Sequence, residues 1–238
     1  MPENKQQFHV ESKHQVNWVD ETIPFSQQFG DVYFSRHDGQ AETGAVFIGG
    51  NFLTARWPLM QQCTIGETGF GTGLNFLETV RQWQLAKCPG ARLHFISFEA
   101  FPLSRTDMQK SLRRWPLLAS LAGRLAEIWH PQGQTIDQDF IEDVRLSVHL
   151  ADAATALAKL EFAADAWYLD GFAPSRNPQM WSAELMQSVF DHTLAGGTFA
   201  TYAAAGFVRR NLSSAGFDVQ RQPGFGGKRE MLAGCRPA

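Results

Sequence analysis

Residues 66–77, GETGFGTGLNFL, hold four glycines within eight positions and continue into an apolar run typical of a helix. Glycine turns of this kind bind phosphates, dinucleotides or nucleosides, and the spacing differs among them. A phosphate-binding P-loop requires lysine directly after its second glycine, where this chain has Thr72. A dinucleotide turn that starts at Gly69 requires a third glycine where this chain has Leu74. The spacing therefore disfavours both nucleoside triphosphates and NAD.

An acidic residue followed by alternating glycines is the pattern that fits, with Glu67, Gly69, Gly71 and Gly73 in the matching positions. It resembles motif I of class I S-adenosylmethionine-dependent methyltransferases. Glycine lacks a Cβ atom, so the backbone can approach a nucleoside and its amino-acid tail closely. The resemblance implies that these four residues, together with Asn75, bind S-adenosylmethionine. A glycine turn that is only structural is the alternative.

Acidic residues follow four of the predicted strands, at the edge where open α/β sheets bind ligands. They are Glu67, Glu99, Asp152 and Asp170. A single acid at such a place is usually a helix cap, whereas four successive ones favour a ligand site. In class I methyltransferases the matching positions bind the cofactor. The resemblance implies that Glu99 holds the ribose hydroxyls and Asp152 the adenine amino group, while Asp170 lies nearest the transferable methyl.

Short apolar segments alternate with helical ones from residue 61 onward. The predicted strands are CTIGE, LHFISFE, VRLSVHL, DAWYLD and GGTFATY, with FDVQRQ and REMLAG as a closing hairpin. This alternation predicts an α/β, Rossmann-like fold with a mostly parallel seven-stranded sheet and helices on both faces. We expect a β-rich extension over residues 1–60, the methyltransferase domain over 61–238, and a helical insertion near 113–140.

Composition favours one folded domain, because 44% of the 238 residues are hydrophobic. The net charge of −3 and the lack of a long apolar run argue against general polyanion binding and membrane insertion, so we expect a cytoplasmic protein. The cysteines and histidines lack ligand spacing, which predicts no metal site. Residues 206–238 hold six basic and two acidic residues, a net charge of +4. That local charge suits a phosphate-bearing partner such as folded RNA, or an ordinary solvated surface.

Four strings carry a more specific resemblance: GETGFGTGLNFL, FISFEAFPL, LDGFAPSRNPQMW, and AGFVRRNLSSAGF with GFGGKREML. From about Phe25 to Gly234 the chain resembles the methyltransferase domain of the MnmC family, the tRNA 5-methylaminomethyl-2-thiouridine biosynthesis bifunctional proteins. The resemblance implies methyl transfer from S-adenosylmethionine to the amine of 5-aminomethyl-(2-thio)uridine at the tRNA wobble position. In that family a FAD-dependent oxidoreductase domain generates the amine. We expect no FAD domain in this chain, and a separate domain or partner in that role.

The resemblance also implies roles for residues that meet the substrate. Asp170 would orient the amine and accept its proton. The wall around the uracil would consist of Tyr33, Phe172 and Pro174, and the phosphates of the anticodon stem-loop would meet Arg209, Lys228 and Arg229. The order Asp-Gly-Phe-Ala-Pro departs from the usual pattern of amino-group methyltransferases, so a proline-stiffened structural loop is the alternative.

The sequence leaves alternative roles open for several residues and alternative functions open for the protein. Phe8, Trp18 and Trp57 are further pocket candidates, with core packing as the alternative, and Arg210 is either a phosphate contact or internal. The same cofactor site would serve an N-methyltransferase that acts on a small molecule or a protein. A cofactor-binding pseudoenzyme scaffold is a third function, which the acids after all four strands disfavour.

Overall fold

Two β-sheets organise the part of the chain that the structure, a computed structural model, describes, residues 16–238. The strands in chain order are β1 (Val16–Val19), β2 (Ile23–Ser26), β3 (Asp31–Val32), β4 (Gln62–Glu67), β5 (Arg92–Phe98), β6 (Thr135–Ile141), β7 (Val144–His149), β8 (Ala164–Tyr168), β9 (Thr193–Thr201), β10 (Asp218–Pro223) and β11 (Glu230–Cys235). The α-helices are α1 (Gly39–Glu42), α2 (Leu53–Arg56), α3 (Leu74–Ala86), α4 (Arg105–Leu112), α5 (Ala119–Ile128), α6 (Ala153–Leu157), α7 (Ala183–Asp191) and α8 (Gly206–Ala215). A π-helical segment covers Thr43–Gly49, and 3-10 turns cover Trp57–Leu59, Pro116–Leu118 and Pro178–Trp181.

The larger sheet has the strand order β10-β11-β9-β8-β4-β5-β7-β6. Its five central strands, from β9 to β7, run parallel, and antiparallel strands close both edges. The predicted mostly parallel α/β fold is confirmed, and so is the closing hairpin of β10 with β11. The sheet has eight strands rather than seven.

The additional strand, β6, lies inside the segment 113–140 that was expected to be helical. Residues 119–128 of this segment are helical, but the chain then turns into a strand that pairs antiparallel with β7. Ile136 and Phe140 are the buried residues of β6, and they are four positions apart. A spacing of four satisfies both the helical and the strand period, so the pattern alone left both open.

Of residues 16–60, only the first part is β-rich. Strands β1, β2 and β3 form a small antiparallel sheet, whereas residues 39–59 are helical, although GAVFIGG and FLTARW within them were expected as strands. The sequence GAVFIGG misleads because Val46, Phe47 and Ile48 are all buried. Periodicity cannot separate three consecutive buried apolar residues in a helix from a short buried strand.

The glycine turn joins β4 to α3, which confirms the helix predicted for the apolar run after the turn. Gly71 and Gly73 adopt left-handed φ values of 54° and 77°, which glycine tolerates without steric cost. Helix α3 has 13 residues. Neither it nor any other helix between residues 16 and 238 combines the length and the apolar character that a bilayer crossing needs.

The core lies on both faces of the larger sheet because neighbouring strand residues point to opposite sides. Phe95 and Tyr168 pack into one cluster with helices α3 to α5, while Ile96 and Trp167 pack into the other with helices α6 to α8. The two layers of helices hold the sheet from both sides. They leave its carboxyl edge to be covered by loops.

Candidate active site

A cleft of about 460 Å³ lies at the carboxyl ends of β4, β5 and β8. Its walls come from the loops that follow these strands and β7, from the N-terminal residues 28–47, and from Tyr202 and Lys228 in the C-terminal part. Parallel α/β sheets bind ligands at this edge because the loops after adjacent strands diverge there. The cleft is therefore the candidate active site.

The glycine turn presents backbone rather than side chains to the cleft. A Cβ atom at Gly69 would lie 3.1 Å from the carbonyl oxygen of Asp170, and one at Gly71 would lie 3.4 Å from the Tyr33 ring. The Phe70 amide donates to the Phe98 carbonyl at 3.0 Å, which ties the turn to the end of β5. The turn is thus packed closely against Asp170, Tyr33 and the end of β5, and it forms part of the cleft wall.

Glu99 follows β5 and braces the same turn. Its Oε2 accepts from the Gly71 amide at 2.7 Å, and its Oε1 accepts from the Phe101 amide at 2.8 Å. Burial raises the pKa of this carboxyl, and the two amides partly oppose that effect. A carboxylate has four lone-pair positions, so Glu99 keeps capacity to accept from ligand hydroxyls in the cleft.

Asn75, in the first turn of α3, connects two carboxyl groups. Its Nδ2 donates to Glu67 Oε1 at 2.9 Å and to Asp170 Oδ2 at 2.7 Å. Its Oδ1 accepts from the Thr43 hydroxyl at 2.6 Å, which fixes the orientation of the amide. The Ser97 hydroxyl donates to Glu67 Oε2 at 2.7 Å. Glu67 and Asp170 are therefore held in one hydrogen-bond network.

Glu67 supports the cleft from behind and does not line it, since it is 0% exposed. Burial raises its pKa to about 8, although bonds from Ser97 and Asn75 favour the charged form. Gly73 also lies outside the lining, where it starts α3. These two predicted cofactor-binding residues shape the site indirectly.

Asp170 lies two residues after β8 and faces the cleft. Burial raises its pKa to about 7, with the charge of Glu42 acting in the same direction. Asn75, the amide of Gly171 and the ammonium of Lys228 oppose this rise. The Gly171 amide donates to Oδ1 at 2.8 Å. Asp170 is thus a carboxyl that exchanges its proton near neutral pH.

The loop that follows Asp170 is tied down from three sides. The Ala173 amide donates to Asp31 Oδ2 at 3.0 Å, and the Trp181 indole donates to the Phe172 carbonyl at 3.1 Å. The Tyr202 hydroxyl donates to the Gly171 carbonyl. This loop is a fixed wall of the cleft.

Aromatic side chains form the mouth of the cleft around Phe172. Phe29 stacks on Phe172 with ring centroids 4.6 Å apart, and Tyr33 meets it edge to face at 5.2 Å. Burial raises the pKa of Tyr33, with Glu99 and Asp107 adding to the shift. Pro174, which was expected in this wall, is not among the lining residues.

Asp152 lines the cleft and also caps α6. Its Oδ1 accepts from the Thr155 amide at 3.0 Å and from the Thr155 hydroxyl at 3.1 Å. The capping role and the predicted adenine contact are compatible, because the second carboxylate oxygen is left for a ligand.

The basic residues of the C-terminal region divide into three groups. Lys228 lines the cleft and pairs with Glu42 at 2.6 Å. Arg209, Arg210 and Arg229 are exposed and lie outside the lining. Arg236 donates to the carbonyls of Phe190 and Thr193, and Arg221 lies 3.6 Å from Glu230. Of the two positions left open for Arg210, the structure shows the exposed one and not the internal one.

Two tryptophans named as pocket candidates lie elsewhere. Trp57 is buried against Trp83 in the core, and the Trp18 ring lies under the Lys110 ammonium at 3.8 Å. Phe8 falls outside the described residues. Within residues 16–238, His, Cys, Asp and Glu side chains do not gather in threes that could hold a metal ion.

Sequence reasoning missed Glu42, Thr43 and Tyr202. The first two lie in RHDGQAETG, a segment expected as a turn within the β-rich extension, and the chain is helical there instead. Tyr202 follows β9, one of the predicted strands, so its position after a strand end was the available signal. None of the three belongs to a recognisable local motif.

Comparisons with known proteins agree with this architecture. The model of a family described as S-adenosyl-L-methionine-dependent methyltransferase matches residues 118–237, about half of the chain. A crystal structure of MnmC2 from Aquifex aeolicus superposes with a TM-score of 0.74 and 22% identity, covering 97% of this chain and 72% of that one. At 22% identity, this superposition shows a similarity of fold alone.

Curated relatives are more similar in sequence. The tRNA 5-methylaminomethyl-2-thiouridine biosynthesis bifunctional protein MnmC of Chromohalobacter salexigens is 46% identical over 215 residues, which cover 89% of this chain and 31% of the relative. The protein of the same name from Ectopseudomonas mendocina is 45% identical, with 92% and 34% covered. The chain thus spans about a third of the length of the curated relatives it matches.

Proposed function

Because the chain belongs to the S-adenosyl-L-methionine-dependent methyltransferase family, we propose that it methylates the amine of 5-aminomethyl-(2-thio)uridine at the wobble position of tRNA. The product would be 5-methylaminomethyl-(2-thio)uridine. The relatives at 45–46% identity carry this modified nucleoside in their name. The observation on which the proposal rests is Asp170, a carboxyl with a pKa near neutrality at the base of an aromatic-walled cleft.

The residues of the cleft suit S-adenosylmethionine. A Cβ atom at Gly69 would crowd the carbonyl of Asp170, so glycine there lets the turn lie against the loop that carries Asp170. Gly69 and Gly71 would hold the cofactor against the main chain, Glu99 would accept from its ribose hydroxyls, and Asp152 would meet its adenine. Asn75 and Glu67 would support that arrangement. When bound, S-adenosylmethionine supplies an activated methyl group.

Asp170 would prepare the substrate amine. A primary alkylamine is mostly protonated at pH 7, and an ammonium has no lone pair with which to attack carbon. Each carboxylate oxygen of Asp170 accepts one N–H bond, from Gly171 or from Asn75, and keeps a lone pair that can take the proton. A base positioned in this way contributes about 10²–10⁴-fold to the rate.

The aromatic mouth would orient the base. Phe29, Tyr33 and Phe172 form a wall whose rings can stack on a uracil that has left the anticodon loop. Single-stranded loops release a base at little cost, and the packed rings exclude water from the reacting amine. Alignment of this kind accounts for a large share of the catalysis expected here.

The tRNA body would lie over the carboxyl edge of the sheet. Arg209, in the first turn of α8, and Arg229, beside the β10–β11 turn, are exposed at this edge and would meet anticodon phosphates. A tRNA substrate implies a cytoplasmic reaction. The amine itself would come from a FAD-dependent oxidoreductase domain or partner, in keeping with the word bifunctional in the name of the relatives.

A methyl-transfer assay tests the proposal. The enzyme is incubated with radiolabelled S-adenosylmethionine and either tRNA carrying 5-aminomethyl-2-thiouridine, unmodified tRNA, or a free alkylamine. We expect label in the first tRNA alone. Label in free amines at a comparable rate would instead favour a small-molecule N-methyltransferase, and cofactor binding without transfer to any substrate would favour a scaffold.

A further inference from the structure

A lysine side chain occupies a cation site inside the cleft. Lys228 Nζ lies 2.6 Å from Glu42 Oε1 and 3.9 Å from the centre of the Tyr202 ring. The three residues line the same cleft as Asp170. A carboxylate beside an aromatic face binds an ammonium group by an ion pair and a cation–π contact, whereas a neutral hydroxyl or amide in the same place gains only a hydrogen bond to the carboxylate.

The two residues that receive the ammonium are fixed in position. Glu42 ends α1, and its side chain is only 11% exposed. The next residue, Thr43, donates to Asn75, which in turn donates to Asp170. Tyr202 is fixed by its hydroxyl bond to the carbonyl of Gly171, the residue after Asp170. The site is therefore built into the same hydrogen-bond framework that positions Asp170.

The lysine, by contrast, extends its long side chain into the site from a glycine-rich turn. Lys228 follows Gly226 and Gly227, which have φ values of 61° and 85°, and its side chain is 41% exposed. Lysine side chains carry about 2 kcal/mol of rotamer entropy, so one that is half in solvent leaves such a site readily. Glu42 and Tyr202 are therefore fixed in position, whereas another cation can replace the Lys228 ammonium.

We infer that Glu42 and Tyr202 form the recognition site for the protonated amine of the substrate, and that Lys228 fills this site until the substrate displaces it. The inference rests on the proposed function, because it assigns the binding of the aminomethyl group. The ammonium of the incoming nucleoside takes the place of Lys228 Nζ. It then gives its proton to Asp170, which lies in the same cleft.

Such a site selects the substrate by charge. A wobble uridine without a cationic substituent would leave Glu42 unpaired once Lys228 had been displaced, at a cost typical of a buried unpaired charge. A substituent that ends in a carboxylate would meet Glu42, Asp170 and Glu99 in one cleft. The site would thus accept the aminomethyl group and reject a substituent that ends in a carboxylate.

Binding measurements on two anticodon stem-loops test this inference. One loop carries 5-aminomethyluridine at the wobble position and the other carries uridine, and both are titrated into enzyme saturated with S-adenosylhomocysteine. The quantity compared is the ratio of the two Kd values. We expect Glu42→Gln to reduce the preference for the aminomethyl loop about tenfold. We expect Lys228→Met to tighten binding of the aminomethyl loop several-fold and to leave the uridine loop unchanged.

Controls separate this effect from damage to the fold. Lys159→Met removes an exposed lysine at the opposite edge of the sheet and should change neither Kd. Affinity for S-adenosylhomocysteine reports whether each variant keeps its cleft, and Lys228→Met, at an exposed turn, decides the matter if Glu42→Gln does not fold.

Three results would overturn the inference. Weaker binding of both loops by Lys228→Met would make Lys228 a phosphate contact, as the sequence suggested. If the wild-type enzyme prefers the aminomethyl loop and Glu42→Gln keeps the same ratio of Kd values, the inference is rejected and the proposed function is not. A wild-type enzyme that binds both loops alike and transfers no methyl group would reject it together with the proposed function.

Discussion

Asp170 combines two properties that a base acting on an amine requires. It faces the cleft, and burial raises its pKa to about 7, so that near neutral pH the ionised and protonated forms coexist. Two N–H donors, on Asn75 and Gly171, hold the carboxyl in one orientation. Proton acceptance is therefore possible without a rearrangement of the side chain.

Replacing Asp170 by asparagine removes the base and keeps the shape. We expect kcat to fall by about 10²–10⁴-fold while the affinity for S-adenosylmethionine changes by no more than a few-fold, because the amide oxygen still accepts from Asn75. In the wild type kcat should rise with pH through an apparent midpoint near 7, as Asp170 loses its proton, and this midpoint should vanish in Asp170→Asn. Single-turnover kinetics between pH 6 and 8 provide the test. A loss of only a few-fold would rule out the base role.

The burial of Glu67 leads to a prediction about how stability, rather than rate, depends on pH. Burial raises its pKa to about 8 from an ordinary value of 4.5, so between these values the folded chain binds more protons than the unfolded chain. The stability contributed by Glu67 is therefore present at low pH and is lost as the pH rises through about 8, by at most about 1.4 kcal/mol per pH unit. The glutamine in Glu67→Gln does not titrate. The free energy of unfolding of this variant should therefore increase relative to that of the wild type as the pH rises.

Thermal unfolding of both proteins from pH 5 to pH 8 checks this expectation. The difference in Tm, variant minus wild type, should grow with pH, and each kcal/mol corresponds to about 2–4 °C for a domain of this size. A difference independent of pH would mean that Glu67 is ionised throughout the range.

Among the secondary-structure elements, the short strand β3 has an effect on the site that exceeds its size. Asp31 accepts from the Val32 amide through Oδ1 and from the Ala173 amide through Oδ2. The second bond joins the N-terminal sheet to the loop that carries Phe172. The position of the aromatic wall thus depends on an element remote in sequence.

Asp31→Ala should release that loop. We expect a loss of about 1–3 kcal/mol in unfolding free energy, the typical contribution of a hydrogen bond to a charged group, and a decrease in kcat/KM for tRNA of tenfold or more from the misplaced loop. Asp218→Ala, at an exposed position of β10, is the matched control and should change neither quantity. Wild-type kcat/KM in Asp31→Ala would show that the loop holds its position unaided.

The elements also show which parts of the fold were predictable. The strands that became β4, β5 and β7 to β9 are short apolar runs next to turn signals, and the helix after the glycine turn has distinct boundaries. GAVFIGG and FLTARW were misassigned because a short run of apolar residues fits a buried strand as well as a helix. The local pattern in β6 was compatible with either period.

The residues of the candidate site likewise include some that were predictable from the sequence and some that were not. Acids that directly follow strands, such as Glu99 and Asp170, were identified from position alone, because the topology brings strand ends together. The contact of Glu42 with Lys228 spans 186 positions and leaves no trace in local spacing. Only the three-dimensional arrangement reveals that Lys228 turns inward while Arg229 stays exposed.

On the scale of the whole molecule, charge is uneven. The chain carries a net charge of −3, yet residues 206–238 carry +4. The first turn of α8 and the β10–β11 turn both lie at the carboxyl edge of the sheet, on the side of the cleft. A phosphate backbone that delivers a base into the cleft would pass over this edge.

The double change Arg209→Glu with Arg229→Glu should weaken tRNA binding and reduce its salt dependence. Each lost phosphate contact lowers the slope of log K against log salt by about 0.7–0.9. Titrations over a range of salt concentrations measure this slope. Arg92→Glu with Lys159→Glu, at the opposite edge, is the charge-matched control. Equal slopes in the two double variants would move the RNA footprint away from this region.

The last strand, β11, lies inside the sheet, between β9 and β10, rather than at its margin. During synthesis on the ribosome, β10 therefore has no neighbour to pair with until Glu230–Cys235 has emerged. The turn that carries Lys228 can adopt its native position only after that insertion. A nascent chain would accordingly have the ends of β4 and β5 before Lys228 can reach the cleft, so under the proposed function cofactor affinity should be acquired earlier than substrate selection.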